Sequence, residues 1–385
     1  MKVEVINGLR GYAILAVIYH HLFSRFTGPG YGAVHVGELQ LLPFAPLANG
    51  WVGVNLFFIL SGFVLFLPYA SGGRSMDDGA AAWTFFKRRA RRLIPLFYLC
   101  TFVGMLQFWS NWSEEIGAVI RNALLMLTAT FNFTVDMWMP KYNFVLWSLG
   151  IEIWFSLVFP ILILLNDRIG PYKLFAFVAV LALATRVMAM DPYIIQYDNI
   201  YLNPVKDSFI ARLDDFVLGM VLASVYVRSR GRTLSRGAAF ACAGGGLVAL
   251  YVALMVWDYI CLGMAPEWLI PYTNNFIQLG SGLLIFALLH MEANAFRRLF
   301  DNAPLQLIGM MCYSLYVWHV LVIPPVLGPG YTVERLIIYT LILGLVSTFT
   351  YRYVEFYYIR DGRSLFRPVR RNRDAQVPEP AKLSN

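Results

Sequence analysis

The chain has 385 residues, of which 58% are hydrophobic and 14% are charged, and its mean hydropathy is +0.59. Soluble domains carry about 25% charged residues, so this composition excludes an ordinary soluble globule. The 16% of aromatic residues excludes disorder and a coiled coil. The formal net charge of +8 comes from basic clusters between apolar segments, a pattern more typical of the cytosolic loops of a membrane protein than of a nucleic-acid binder.

The apolar segments predict an all-α, polytopic transmembrane helix bundle. A helix needs about 20 mostly apolar residues to cross the hydrocarbon layer. Ten windows qualify, at residues 7–25, 51–70, 93–110, 145–165, 172–190, 207–228, 237–257, 272–291, 304–324 and 335–355. An eleventh segment, 118–134, is less apolar and is flanked by Glu114 and Glu115. We therefore predict a re-entrant or interfacial helix there.

The basic residues predict the orientation. They cluster in 74–92, 168–173, 228–236, 297–298 and from 360 onward, whereas the intervening loops hold almost none. If the basic loops face the cytosol, the chain crosses ten times and both termini are cytosolic. The expected location is the cytoplasmic membrane of a bacterium. Residues 1–358 form the predicted transmembrane domain, which must then hold all the chemistry, and the basic, Pro-containing tail 359–385 is predicted to be disordered.

Two ionisable side chains share one face of the first predicted helix. Arg10, Ala13, Val17 and His21 lie on one stripe at 100° per residue, with Arg10 and His21 about 16 Å apart along the axis. Charged groups inside a membrane generally face a cavity or a partner. The alternative is that each side chain extends to the headgroups on its own side. Small Ala13 would let a neighbouring helix or an acyl chain approach this face.

The same residues open a series of motifs that resembles a known family. In chain order the motifs are Arg10-x-x-Ala13-x-x-x-Val17-x-x-x-His21, Gly53–Phe63 (GVNLFFILSGF), Arg88–Pro95 (RRARRLIP), Trp147–Glu152 (WSLGIE), Arg212–Met220, Tyr313–His319 (YSLYVWH), and Arg352 with Glu355. Together they resemble the acyltransferase 3 family of integral-membrane O-acyltransferases. The likeness covers residues 6 to about 358.

The resemblance implies a reaction and some of its residues. It implies transfer of an acyl group, often acetyl, from cytosolic acyl-CoA to a hydroxyl of a carbohydrate or glycosylated acceptor, without a permanently bound cofactor. The family's essential histidine corresponds to His21 and its associated arginine to Arg10. Its arginine cluster corresponds to Arg88, Arg89 and Arg92. Asn55 stands where many members have Asp, and Glu355 lacks the proline that often follows it.

The chemistry of these residue types agrees with this reaction. Histidine titrates near neutrality and can act as a general base toward a hydroxyl, and arginine forks match phosphate oxygens such as those of CoA. Topology alone could also explain the arginines, since any cytosolic loop should be basic. A transporter or flippase that moves a polar solute along the same polar path is the alternative function.

Other polar residues are candidates for supporting roles. Glu152 could orient an imidazole or pair with Arg212, or it could form a purely structural ion pair. His319 is interpreted mainly as a packing or headgroup-level histidine, with a catalytic role as the alternative.

Three further groups complete the candidate site. Ser61 is expected to help helices pack closely rather than to act as a nucleophile. Trp147, next to Ser148, could belong to an interfacial aromatic belt or contact substrate. The charges of Arg212 and Asp214 should pair or line a hydrated cavity.

Depth along the predicted helices divides the candidates into two groups. Arg10, Arg88 to Arg92, Arg352 and Glu355 fall in the inner half, and His21, Asn55, Glu152, Asp214 and His319 in the outer half. The four cysteines have no metal-ligand or disulfide spacing, so we predict no metal site.

Overall fold

The computed structural model describes residues 4–24, 26–37, 39–108, 116–191, 201–229, 231–327 and 331–366. Fourteen α-helices lie within these ranges. They are α1 Glu4–Phe23, α2 Ala45–Ala48, α3 Gly53–Ala70, α4 Gly79–Phe108, α5 Ile116–Leu127, α6 Leu146–Ile169, α7 Pro171–Met188, α8 Phe209–Arg228, α9 Arg236–Cys261, α10 Ile270–His290, α11 Ala295–Asp301, α12 Ala303–Met310, α13 Cys312–Leu327 and α14 Val333–Thr350, which continues as a π-helix over Tyr351–Glu355.

The helical fold class is confirmed, with one small departure. Two short strands, β1 (Val34–Val36) and β2 (Leu39–Leu41), pair antiparallel in the segment between α1 and α3, with His35 opposite Gln40. Short 3₁₀ turns occur at Gly50–Val52, Phe131–Phe133, Glu267–Leu269 and Gly362–Phe366. The last turn falls inside the predicted disordered tail, whose residues 367–385 lie outside the described residues.

Five helices are long and apolar enough to cross a membrane: Gly50–Ala70, Leu146–Ile169, Pro171–Met188, Arg236–Cys261 and Val333–Glu355. A sixth candidate is a pair, Glu267–His290 and Ala295–Met310, bent by 108°. The other predicted windows also coincide with helices, but α4 and α8 carry several charges within their length. The number of ten crossings and the cytosolic termini therefore remain predictions.

The segment 118–134, predicted to be re-entrant or interfacial, overlaps helix α5, which is too short to cross the membrane alone. Helix α5 has 12 residues and so measures about 18 Å at 1.5 Å per residue, against a hydrocarbon layer of about 30 Å. Its Arg121 forms an ion pair of 2.6 Å with Asp136 in the loop that leads to α6, and this hydrogen-bonded guanidinium lowers the pKa of Asp136. The pair ties α5 to the loop that precedes α6.

Helix α3 is central to the packing around the site. It lies along α8 and contacts α1. A Cβ on Gly53 would clash with the carbonyl oxygen of Ala13, and one on Gly62 would clash with the carbonyl oxygen of Phe216. Small residues allow this close approach of helix backbones. The expectation that Ala13 lets a neighbouring helix approach is thus confirmed, and the neighbour is α3.

Stacked aromatic rings fix α3, α6 and α8 relative to one another. The ring of Phe216 stacks on Phe58 with centroids 4.7 Å apart and on Phe155 with centroids 4.0 Å apart. All three side chains are buried. Because protein interiors are closely packed and tolerate little movement, these three stacked rings hold α3, α6 and α8 in fixed relative positions.

The close contact at Gly62 gives a stability prediction. Gly62→Ala is expected to destabilise the protein by about 1–3 kcal/mol, because the added methyl group must separate α3 from α8. Thermal unfolding in detergent would measure the loss. Gly344→Ala is the matched control, since a Cβ there meets nothing within 4 Å. Equal melting temperatures for the two variants would contradict the close packing.

Candidate active site

Two cavities lie at different levels of helix α1. The larger one, called here the histidine cavity, has a volume of about 540 Å³ and is lined by His20, His21, Asn55, Trp147 and Arg212 among others. The smaller one, called the arginine pocket, has a volume of about 50 Å³ and is lined by Arg10, Ser61, Arg89, Arg92, Ser148 and Glu152 among others. Helix α1 thus supplies His21 to one cavity and Arg10 to the other.

His21 forms a pair with His319, although 298 residues separate them in sequence. Nδ1 of His21 lies 2.9 Å from Nε2 of His319, and the ring centroids are 5.0 Å apart. His319 is fully buried on α13. The buried position of His319 agrees with its interpretation as a packing histidine, its contact with His21 was not predicted, and its catalytic role stays a prediction.

Hydrogen-bond partners assign the tautomers of the two neutral rings. Nδ1 of His319 lies 2.6 Å from the carbonyl oxygen of Tyr316, which can only accept, so Nδ1 carries the proton. Nε2 of His319 must then accept a hydrogen bond, and the proton comes from Nδ1 of His21. This leaves Nε2 of His21 unprotonated. In this arrangement His319 accepts from Nδ1 of His21, which is the tautomer of His21 whose Nε2 is free to accept.

Glu152 belongs to the arginine pocket. Nη2 of Arg89 lies 2.7 Å from its carboxylate, and the Ser61 hydroxyl donates to it at 3.2 Å. The predicted partners, an imidazole or Arg212, are wrong, and so is the placement of Glu152 with His21, whereas the alternative of an ion pair agrees with the contact to Arg89. The physical reason is that α4 begins at Gly79, well before the predicted span. Arg89 therefore projects from the body of a helix toward α6.

A second ion pair joins Arg92 of the arginine pocket to Glu355. Nε of Arg92 lies 3.2 Å from the fully buried carboxylate of Glu355. The Ser314 hydroxyl donates to the same carboxylate at 3.2 Å, and the guanidinium of Arg92 lies 5.3 Å from the ring centroid of Phe356. The sequence-based grouping of Glu355 with the arginines is confirmed by this contact.

Arg10 is the guanidinium of the pocket that lacks a partner. It forms no hydrogen bond or ion pair with the described residues, and its Nε is buried without a partner among them. Three guanidinium groups face two carboxylates here, so the pocket carries excess positive charge. The pocket is therefore suited to an anion or to a carbonyl oxygen that develops negative charge.

The charges in the histidine cavity are paired. Arg212 lies 2.5 Å and Lys206 lies 3.1 Å from the carboxylate of Asp207. Asp214 pairs with Arg186 of α7 at 2.8 Å, so the expected pairing between Arg212 and Asp214 is wrong. The two residues lie on different faces of α8 and meet different neighbouring helices. Arg212 does line the cavity, as the alternative expectation had it.

Amide groups extend the polar wall of this cavity. Asn55 donates to the side-chain oxygen of Asn274, which also accepts from Arg212 at 2.5 Å. Asp215 accepts from Gln278 at 3.0 Å. Asn55 therefore acts within a hydrogen-bonded network, where an amide can both donate and accept.

The structure separates Arg88 from the other arginines. Arg88 is exposed and lines a surface cavity with Arg74 and Asp77, not the arginine pocket. Adjacent residues on a helix project about 100° apart, so Arg88 and Arg89 cannot share one pocket. Trp147 and Ser148 are divided in the same way, the first in the histidine cavity and the second in the arginine pocket.

Several site residues were not predicted from sequence. Arg186, Asp207 and Tyr316 line the cavities, as does His20, whose Nδ1 donates to the Ala48 carbonyl at 2.9 Å. Arg186 carried a usable signal, because an arginine inside an apolar span requires a partner or a cavity. Within the described ranges, no group of three His, Cys, Asp or Glu residues is placed to hold a metal ion.

The helical bundle therefore places His21 in the wall of one cavity and three guanidinium groups in the wall of another, and charged groups inside a membrane protein generally face a cavity or a partner. The chain belongs to the acyltransferase 3 family, since residues 3–351 match the family's acyltransferase domain. This membership confirms the resemblance and supports an acyltransferase activity. With its apolar helices, it indicates a multi-pass membrane protein.

Two relatives illustrate the family. The chain is 25% identical over 376 residues to the O-acetyltransferase OatA of Staphylococcus aureus strain NCTC 8325, covering 91% of this chain and 56% of OatA. It is 27% identical over 287 residues to the exopolysaccharide production protein ExoZ of Rhizobium meliloti, covering 73% of this chain and 79% of ExoZ. The chain thus spans little more than half the length of OatA. No solved structure matches it.

Proposed function

We propose that this protein transfers an acetyl or similarly short acyl group from acyl-CoA to a hydroxyl group of a carbohydrate, with His21 as the general base. The observation that carries the proposal is that His21 lines the histidine cavity while its ring contacts buried His319 behind it. A ring with one nitrogen held as a donor and the other free can take a proton from a hydroxyl.

The arginine pocket is the proposed site of the donor thioester. Its small volume suits a thioester and a short acyl group and is too small for the nucleotide of CoA. The unpartnered Arg10 would stabilise the negative charge that develops on the carbonyl oxygen. Arg89 and Arg92 support this site while paired to their carboxylates, and exposed Arg88 remains available to a CoA phosphate at the surface.

The histidine cavity is the proposed site of the acceptor. It has room for a sugar unit, and its lining combines aromatic rings with amide groups, as in Trp51, Trp257 and Asn274. Ligand sites of this kind bind the faces of a molecule by apolar contact and its hydroxyls by a few polar groups. The names of OatA, an O-acetyltransferase, and ExoZ, an exopolysaccharide production protein, agree with such an acceptor.

The reaction then follows in two steps. The acceptor oxygen attacks the thioester carbon while Nε2 of His21 takes the hydroxyl proton, and the positive ring is stabilised by its hydrogen bond to His319. The carbon–sulfur bond breaks, the new ester forms, and the proton passes to the CoA sulfur. The carbon–sulfur and oxygen–hydrogen bonds that break are replaced by a carbon–oxygen and a sulfur–hydrogen bond, so electrons and protons balance.

The proposal is tested with the full chain in lipid nanodiscs and radiolabelled acetyl-CoA. Label is expected to appear in an ester on an added oligosaccharide, such as a chitooligosaccharide or a bacterial exopolysaccharide fragment, only when the protein is present. Movement of an unmodified sugar across vesicles without consumption of acetyl-CoA would instead favour a transporter.

Arg10 gives a separate prediction about the donor. Arg10→Met is expected to raise the KM for acetyl-CoA and lower kcat, with kcat/KM reduced about 10-fold or more, because the oxyanion and the carbonyl lose their charged partner. Arg91→Met is the matched control, since Arg91 is an exposed arginine on α4 that lines neither cavity. If kcat/KM fell equally in both variants, Arg10 would act only through its contribution to the positive charge of the protein and not through contact with the donor.

A further inference from the structure

The arginine pocket and the histidine cavity have two lining side chains in common. Among the residues that the structure describes, these are Val54 of α3 and Tyr316 of α13. Their neighbours in sequence divide between the two sides: Asn55 lines the histidine cavity and Phe57 the arginine pocket. Val54 and Tyr316 therefore lie at the boundary between the arginine pocket and the histidine cavity.

Hydrogen bonds hold Tyr316 across this boundary. Its hydroxyl donates to the carbonyl oxygen of Val145 at 3.0 Å and shares a hydrogen bond of 2.6 Å with the hydroxyl of Ser148. Its ring centroid lies 6.0 Å from that of Phe57 in an edge-to-face arrangement. Both hydroxyl partners lie at the start of α6, so the phenol links α13 to α6 and can be released by breaking two hydrogen bonds.

The backbone of Tyr316 is also part of the histidine pair. Its carbonyl oxygen accepts from Nδ1 of His319 at 2.6 Å, and His319 in turn contacts His21. Tyr316 therefore takes part in both features. Its backbone carbonyl accepts from the partner of His21, and its side chain lies at the boundary between the two cavities. The Tyr316 ring at the boundary lies within one helical turn of His319, the residue that contacts His21.

We propose that Val54 and Tyr316 form a partition that limits the length of the acyl chain and keeps water in the histidine cavity away from the thioester. This inference rests on the proposed donor site and adds which acyl chain lengths that site accepts. In the closed state the two side chains bound the arginine pocket, whose volume of about 50 Å³ leaves room for little more than an acetyl group. Release of the Tyr316 hydroxyl opens the route for the acceptor hydroxyl to reach the thioester carbon.

The test measures two quantities on the full chain in nanodiscs. The first is release of free CoA thiol from acetyl-, propionyl-, butyryl- and hexanoyl-CoA without acceptor, in which water replaces the acceptor and gives a carboxylate and CoA. The second is transfer of each acyl group to an oligosaccharide. For the wild type, transfer is expected to fall about 10-fold or more for each methylene beyond the length that fits.

Two variants alter the partition in different ways. Val54→Ala removes two methyl groups from the wall, so propionyl and butyryl transfer should approach the acetyl rate. Tyr316→Phe keeps the ring and removes the hydroxyl, so thiol release without acceptor should rise about 10-fold relative to transfer, because a latch of two hydrogen bonds is lost. Melting temperatures identify any variant that fails to fold, and the proposal is then tested on the variant that does fold.

Tyr251→Phe is the matched control on helix α9. The Tyr251 hydroxyl donates to the Leu42 carbonyl at 3.2 Å, and the residue lines neither cavity. It should leave the ratio of hydrolysis to transfer and the order of chain lengths unchanged. Unchanged chain-length profiles in both partition variants, beside a wild type that transfers acetyl, would overturn the partition alone. A wild type that neither binds nor consumes acetyl-CoA would overturn the proposed function as well.

Discussion

His21→Ala is expected to lower the rate of acetyl transfer by about 10²–10⁴-fold, the usual contribution of a general base. The loss should fall on kcat, because His21 is the proposed base and lines the histidine cavity, not the proposed donor pocket. Initial rates with labelled acetyl-CoA and an oligosaccharide acceptor would measure it. The KM for acetyl-CoA should change little.

His20→Ala is the matched control for this experiment. His20 precedes His21 on α1 and lines the same cavity, but its Nδ1 donates to the Ala48 carbonyl, and the ring that it meets edge to face, with centroids 5.3 Å apart, is that of His21. Its removal should cost less than the removal of His21. If His20→Ala abolished transfer and His21→Ala retained it, the assignment of the base would be wrong.

The helices were predictable because their signals are local. Each predicted apolar window coincides with a helix, and the stripe on α1 follows from 100° per residue alone. The window at 304–324 is divided at Met311 into α12 and α13, a break that hydropathy does not mark. The predicted window at 93–110 covers only the apolar part of α4, so the charged part that begins at Gly79 and holds Arg89 was missed.

The contacts between helices were not predictable in the same way. His21 and His319 are 298 residues apart and Arg89 and Glu152 are 63 apart. Depth along a helix constrains which residues can meet, and it grouped His21 with His319 correctly. It failed for Glu152, because a long arginine side chain from an early-starting helix reaches another depth.

The pairing of charges indicates which groups are free to react. Buried charges in a membrane protein are costly unless paired, and Arg89, Arg92, Arg186 and Arg212 all face carboxylates. Among the described residues that line the two cavities, Arg10 has no such partner. Helix α1 therefore carries both the unpaired guanidinium and the histidine with a free nitrogen, one at each cavity.

His319→Phe is expected to reduce kcat about 100-fold, because Nδ1 of His21 loses its buried acceptor, a loss of up to about 3 kcal/mol. The free ring can then adopt the tautomer or rotamer in which Nε2 is no longer available as a base. The KM for acetyl-CoA should remain within about twofold, since His319 does not line the arginine pocket. Steady-state kinetics would separate these two quantities.

His319→Gln distinguishes positioning from packing. Its amide oxygen can accept from Nδ1 of His21, so kcat should recover part of the loss caused by phenylalanine. A structural role alone predicts the opposite order, because phenylalanine fills the buried space between α1 and α13 better than glutamine does. If the glutamine variant were slower than the phenylalanine variant at equal melting temperature, His319 would not act through the tautomer of His21.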